Sequence, residues 1–392
     1  MLKRRNKGIV SLLLVIISTF CLKAQSIVPF VNDDRNVISN KEYLQPFYTK
    51  LALLKDSQFQ INILHIGDSH LQADFLTQRM RDLFESKAGR GLIVPCRVAK
   101  TNESRMYKTK TYSTWQSRRA VKTDSDLPIG IGGITVQTFD DTASIVLEVK
   151  DNIGFNSIKI FHQNDETAFD LVVTDENGNT LTQQDFKENK LPHETVFTAN
   201  QTVHSVIIQN RKNNYGQWQS IIYGIYVCNS EAGVIYSSVG VNGAEYRHYN
   251  DARFFAEQTQ SLAPDLIILS LGTNEAANTK FEEAVFYNQI QNLVNDLQNF
   301  NPNARILLTT PADSYRRRKQ FNPIMKRVSQ TIVSYCKDNN IACWDLYNIS
   351  GGYKSARFWK KYQLFAKDNL HYNVRGYQLQ AELLYQAIIN SK

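Results

Sequence analysis

Apolar and polar positions change rhythm three times along this 392-residue chain. An almost unbroken apolar run, Ile61–Ile66, predicts a buried strand, and it stops at Gly67-Asp68-Ser69-His70. From Leu71 to Lys87 the apolar residues fall at 71, 75, 76, 80, 83 and 84, which is helical spacing, with Gly89 as the stop. Between about Arg97 and Asn229 the period drops to two. Short runs such as "ITVQTF", "ASIVLEV", "FDLVVTD" and "HSVIIQN" alternate there between turn residues, and "ENGN" (Glu176–Asn179) is a hairpin signal. From Gly233 strands and helices alternate again. "GVIYSSVGVNG" runs into a helix near Glu245–Ser261, and the buried strand Asp265–Gly272 runs into a helix near Phe281–Phe300. "ARILLTT" leads to a helix near Pro323–Asp338, "ACWDLY" is a further strand, and an amphipathic helix covers about Val374–Ile389.

Strand–helix alternation predicts an α/β fold with a doubly wound, flavodoxin-like parallel sheet. The period-two region predicts an antiparallel β-sandwich inserted into it. The expected boundaries are 27–95 and 231–392 for the two parts of the α/β domain and 96–230 for the insert. Residues 1–24 read as a signal peptide: Lys3, Arg4, Arg5 and Lys7 precede the apolar "IVSLLLVIISTFCL", and "KAQS" offers cleavage near Ala24 or Gln25. An uncleaved anchor and a lipoprotein through Cys21 are the other readings, although Ile9–Leu22 is short for a span. Cleavage leaves no stable membrane span and places the protein in the periplasm or outside the cell.

Composition then narrows the partners. Hydrophobic residues make up 42% and mean hydropathy is −0.37, as in globular chains. The net charge is +8, but the first 24 residues hold five basic and no acidic residues, leaving +3. That is too mild for a nucleic-acid partner. "YRRRK" (Tyr315–Lys319) is the dense basic cluster and reads as a solvated loop. Two disulfides are conceivable, a local Cys336–Cys343 across a short turn and a long-range Cys96–Cys228 stapling the stalk of the insert. No Cys-x-x-Cys or His/Cys cluster has metal-site spacing, so neither metal nor other cofactor is called for.

Ligands of an open parallel sheet bind at the carboxyl ends of its strands. Three such ends carry polar punctuation: "GDSH" (Gly67–His70), "GVNGAEY" (Gly240–Tyr246) and "LGTNEA" (Leu271–Ala276). Before the last helix, "KDNLHYNVRGY" sets Asp368 three residues ahead of His371. Ester hydrolysis through an acyl-enzyme needs a hydroxyl nucleophile, an imidazole base, a carboxylate to orient it and amide donors for the oxyanion. Ser69, His371 and Asp368 fill the first three roles. The Ser69 and Gly243 N–H groups and the Asn274 side chain fill the last, with Gly240 the alternative to Gly243.

These four blocks, in this order, resemble the SGNH/GDSL hydrolase family over roughly residues 60–95 and 231–390. One departure is Glu275, which stands where the third block commonly has Asp. With "GDSH…ADF" and an early β insert, the chain is similar to the bacterial peptidoglycan O-acetylesterases, whose insert resembles a family-35 carbohydrate-binding module. The resemblance implies an exported serine carbohydrate esterase that removes the 6-O-acetyl group of N-acetylmuramic acid, with an O-acetylated glycan as its partner. An esterase on another acetylated polysaccharide or small acyl ester, an O-acetyltransferase using the same serine, and a glycan-binding protein on a degenerate scaffold are the alternatives. His70 and Glu275 are candidates for substrate contact. His65, His162, His193, His204 and His248 read as structural, and Trp115, Trp218 and Tyr223 as core or sugar-stacking aromatics.

Overall fold

Six strands form the central sheet, in the order Ile38–Ser39, Ala342–Trp344, Arg305–Thr309, Leu266–Ser270, Gln60–Gly67 and Gly233–Gly240. The computed structural model describes residues 28–54, 58–184 and 193–391, so the signal-peptide reading of residues 1–24 lies outside the described residues. Five strands are parallel, and the two-residue Ile38–Ser39 edge is antiparallel and too short to show in a hydrophobic pattern. Numbered along the chain, the parallel strands lie in the order 2-1-3-4-5, the flavodoxin-like arrangement. Its order reverses beside Gln60–Gly67, where a crevice opens at the carboxyl ends. Register pairs Gly67 with Gly240 on one side and Ser270 on the other, so three strands end level.

Both faces of this sheet are covered, which explains its continuous apolar strands. Helices Phe75–Leu83 and Val374–Asn390 bury Leu76, Met80, Tyr377 and Leu384 against Ile61, Ile63 and Val234. On the other face, Glu283–Phe300 and Pro323–Asp338 bury Ile290, Leu297, Val328 and Ile332 against Leu64, Ile267 and Leu269.

Between the first two parallel strands the chain builds two antiparallel sheets. Four strands, Tyr107–Lys110, Ser144–Val149, Ser205–Arg211 and Asp170–Asp175, form one. The other is seven-stranded and centred on Phe155–His162 and Ser220–Cys228, with Gly91–Ile93 pairing onto the latter. Alternate residues face inward: Ile145, Leu147, Val206 and Ile208 meet Ile158 and Ile160 in one apolar cluster. That cluster continues through Ile131 and Tyr223 to Leu64, Ile66 and Val239 of the parallel sheet. The inserted sheets and the α/β sheet therefore share one core.

Three local expectations change. The helix read over Leu71–Lys87 is two helices, Ser69–Gln72 and Phe75–Leu83, because Asp74 adopts the left-handed conformation (φ 65°). Its carboxylate is held there by Arg81 at 2.7 Å, Arg90, Thr77 and Ser104, and a helical Asp74 would lose them. The helix near Glu245–Ser261 is likewise two short ones, Tyr246–Asn250 and Phe255–Thr259. The four cysteines among the described residues, Cys96, Cys228, Cys336 and Cys343, are free. The ladder joining Gly91–Ile93 to Ile225–Val227 pairs Val227 with Gly91, so Cys228 and Cys96 lie beyond its opposite ends.

Candidate active site

The nucleophile corner is shaped by what must approach it. Helix Ser69–Gln72 lies over the end of the Gly233–Gly240 strand, so closely that a Cβ on Gly240 would collide with the Gln72 backbone nitrogen. Gly240 thus gives the helix room, and it is Gly243 that shapes the turn. Gly243 has φ 84° at the third position of a turn closed by Ala244 N–H to the Val241 carbonyl at 2.9 Å. A glycine relieves that positive φ. Asp68 caps the short helix by accepting the His70 N–H at 2.8 Å. Ser69 is the first helical residue, and its N–H has no acceptor within the helix.

The C-terminal turn brings the acid–base pair to that corner. Asp368 Oδ1 accepts the N–H groups of Leu370 (3.0 Å) and His371 (2.9 Å), while Oδ2 lies 2.7 Å from His371 Nδ1. Burial pushes the Asp368 carboxyl up, but the His371 side chain and these N–H donors outweigh it and bring it below the usual range. An ionised carboxylate only accepts, so Nδ1 carries the imidazole proton. Nε2 is then the acceptor for the Ser69 hydroxyl, 2.8 Å away. Ser69, His371 and Asp368, predicted from motifs 302 residues apart in sequence, meet in one hydrogen-bonded line.

The turn that carries Gly243 is held from three sides. Gln72 Oε1 accepts the Asn242 N–H at 2.7 Å, Asn274 Nδ2 donates to the Ala244 carbonyl at 2.9 Å, and Glu275 Oε1 accepts the Tyr246 N–H at 2.9 Å. The Gly243 N–H itself has no acceptor among the described residues. Asn274 also donates to Asp68 Oδ2, at 3.2 Å, so both of its amide hydrogens are engaged. For Asn274 to reach an oxyanion, the longer of these bonds must yield. Burial pushes the Asp68 carboxyl up to about 7, which makes it a weak competitor near neutral pH.

The two candidates for substrate contact lie in different surroundings. Glu275 is buried, and burial pushes its carboxyl up to about 8; it holds Tyr246 instead of facing the cleft. His70 packs its ring 5.1 Å from that of His371, and its Nδ1 lies 3.0 Å from the Tyr377 hydroxyl. Burial, and then His371, lower the His70 ring to about 3, so it stays neutral behind the base. His65 is structural as expected, bridging Tyr236 and Ser270 at 2.8 and 2.6 Å. Trp115 and Tyr223 are core residues, whereas Trp218 is half exposed and stacks on Phe139.

Sequence reading missed Gln72. Besides accepting the Asn242 N–H, it donates to Thr101 Oγ1 (3.0 Å) and the Asn102 carbonyl (2.9 Å), tying the root of the insert to the Gly243 turn. Its signal was weak, a lone amide on a short helical stretch. The Tyr249 hydroxyl, donating to the Gly67 carbonyl at 2.6 Å, was equally silent.

With this geometry in view, comparison with known proteins adds a family. Residues 202–379 match the GDSL-like Lipase/Acylhydrolase family, a stretch that holds Gly243, Asn274, Asp368 and His371 but begins after Ser69. No curated protein matches the chain significantly. Among solved structures, a peptidoglycan O-acetylesterase is 22% identical, covers 92% of this chain and 97% of its own, and superposes with a TM-score of 0.73. A GDSL-like lipase from Bacteroides thetaiotaomicron is 19% identical over 41% of this chain and 77% of its own, with a TM-score of 0.30. A family two carbohydrate esterase from Clostridium thermocellum is 10% identical over 70% and 98%, also at 0.30. Scores of 0.30 have no bearing on the fold, whereas 0.73 over nearly the whole of both chains shows a shared one. Residues 202–379 thus carry a GDSL-like lipase/acylhydrolase match within a chain that has the SGNH-hydrolase fold, and the two together support a serine ester hydrolase.

Proposed function

We propose that the protein is an exported carbohydrate esterase that removes O-acetyl groups, most specifically the 6-O-acetyl of N-acetylmuramic acid in peptidoglycan. The observation that carries the reading is the Ser69–His371–Asp368 line, at 2.8 and 2.7 Å, beside an amide turn with a free N–H. The whole-chain likeness to a peptidoglycan O-acetylesterase favours this substrate, and the signal-like pattern of residues 1–24 favours export.

In the proposed reaction His371 Nε2 takes the Ser69 proton as Oγ attacks the acetyl carbonyl. The Ser69 and Gly243 N–H groups, joined by Asn274 as it leaves Asp68, hold the developing oxyanion. His371 then gives the proton to the departing sugar oxygen, leaving an acetyl-Ser69 enzyme. Water deprotonated by His371 attacks that ester and releases acetate, and Asp368 steadies the imidazolium in both halves.

The test is acetate released from O-acetylated peptidoglycan by wild type, Ser69→Ala and His371→Ala. Release that both variants lose supports the reading. Release from an aryl acetate alone moves the substrate elsewhere, and equal turnover by Ser69→Ala sinks the mechanism.

A further inference from the structure

The basic cluster at Tyr315–Lys319 is more than a solvated loop. Tyr315–Arg316 pairs with Gln320–Phe321 as a two-stranded hairpin, and Arg317, Arg318 and Lys319 at its tip are exposed. The hairpin is bonded to the acid–base turn: Tyr315 N–H donates to the Asn369 carbonyl at 3.1 Å, and Asn369 Nδ2 donates to the Arg318 carbonyl at 2.9 Å. Asn369 lies between Asp368 and His371 in the chain, so the cluster borders the catalytic imidazole.

A second segment extends the same face. The Lys354 ammonium lies 5.8 Å from the centre of the Phe321 ring, and the Lys360 ammonium 5.6 Å from that of Tyr315. Arg357 is exposed on the short helix that carries Lys360. The two stretches, Tyr315–Asn322 and Gly351–Lys367, contain nine basic residues and no acidic one. None of the nine forms an ion pair among the described residues. Residues 25–392 carry only +3 in total, so the rest of that chain is net negative. Gathering like charges without counter-charges costs stability through self-repulsion. Aromatic faces beneath the lysines supply some compensation and leave their N–H donors outward.

We infer that this face is a subsite for the anionic groups of the glycan substrate, the carboxylates that hang from a cell-wall strand beside the sugar whose ester is cleaved. The inference rests on the esterase reading and deepens it: a neutral acetylated polysaccharide offers this face nothing, whereas a carboxylate-bearing one spans it and the catalytic serine together. At physiological salt, charges act within about 8 Å, so the attraction is a contact effect and salt-sensitive.

The test uses full-length protein carrying Arg317→Asn, Arg318→Asn and Lys319→Gln together. Asn suits the first two because both have positive φ, 47° and 68°. With O-acetylated peptidoglycan, KM should rise about tenfold at unchanged kcat, with a flatter salt dependence. Turnover of a neutral aryl acetate should match wild type. Pelleting of Ser69→Ala protein with sacculi should fall when the three cations are removed, and fall equally when the sacculus carboxylates are blocked as amides. Unchanged KM and unchanged pelleting overturn the inference. Parallel loss on the aryl acetate overturns it too, because the hairpin then only positions the acid–base turn. Pelleting with anionic lipid vesicles and not with sacculi assigns the face to a membrane and overturns it as well. The esterase reading fails separately, by aryl acetate turnover that survives in Ser69→Ala.

Discussion

Two carboxylates flank the reacting atoms, and their surroundings drive them in opposite directions. Asp368 sits in a half-exposed turn, receives two N–H groups and the His371 imidazole, and is held ionised. Asp68 is fully buried one residue from the nucleophile, and burial lifts it to about 7 despite the His70 N–H. The first orients the base through charge; the second shapes the corner and lends its oxygen to Asn274. Identity of residue type therefore says little about role, and solvation says most of it.

The sharpest way to break this comparison is through the charge-dependent corner. Asp368→Asn keeps the shape of the turn but removes the acceptor that fixes the His371 tautomer, and kcat should fall by roughly 10³–10⁴. A loss under tenfold, measured by acetate release, would make Asp368 dispensable and erase the contrast. On the other side, Asn274→Ala removes the proposed oxyanion donor and should lower kcat by about 10²–10³ with little change in KM. Gln72→Leu should cost less, about tenfold in kcat, because it loosens the Gly243 turn without removing a reacting group. It leaves the Asn242 N–H unpaired, at a cost of about 1–3 kcal/mol of stability. Gln72→Glu, which retains an acceptor for that N–H, should recover part of the rate, and no recovery would argue that Gln72 only fills space.

The smallest effect is on stability against pH, and its sign differs between the two corners. Asp68 stays protonated in the folded protein to about pH 7 but ionises near pH 4 when unfolded. Its contribution therefore falls as pH rises through that window, and buried Glu275 acts in the same direction up to about 8. Asp368, held below its unfolded value, contributes stability above about pH 4 that is lost as pH falls further. Melting temperatures between pH 4 and 8 should decline less steeply in Asp68→Asn than in wild type. An unchanged slope would show that Asp68 is ionised in the folded protein across the range.

The oxyanion flank and the basic flank also differ in how they connect to the fold. Gln72, Asn102 and Asn242 form a neutral amide network that fastens the root of the insert to the Gly243 turn. Opposite it, the hairpin at Tyr315–Phe321 carries exposed cations with no ion pair among the described residues and touches the acid–base turn through two hydrogen bonds to Asn369. One flank fixes geometry, and the other is left open to solvent.

Sequence alone determined the alternation of strands and helices, because each parallel strand is a mainly apolar run and each long helix an amphipathic period. It also singled out Ser69, Asp368 and His371 as candidates, since they follow strand or precede helix boundaries in recognisable local patterns, and the fold brings the three into hydrogen-bonding distance. The break at Asp74, the inward role of Glu275 and the Gln72 network were decided by tertiary structure. Each depends on a partner far along the chain: Asp74 on Arg90, Glu275 on Tyr246, Gln72 on Asn242. The clustering of Lys354 and Lys360 with the hairpin belongs to that second kind. Hydrophobic periodicity is a local signal, but hydrogen bonds and charge neighbours are satisfied in three dimensions, and only the folded chain shows which polar side chain has found which partner.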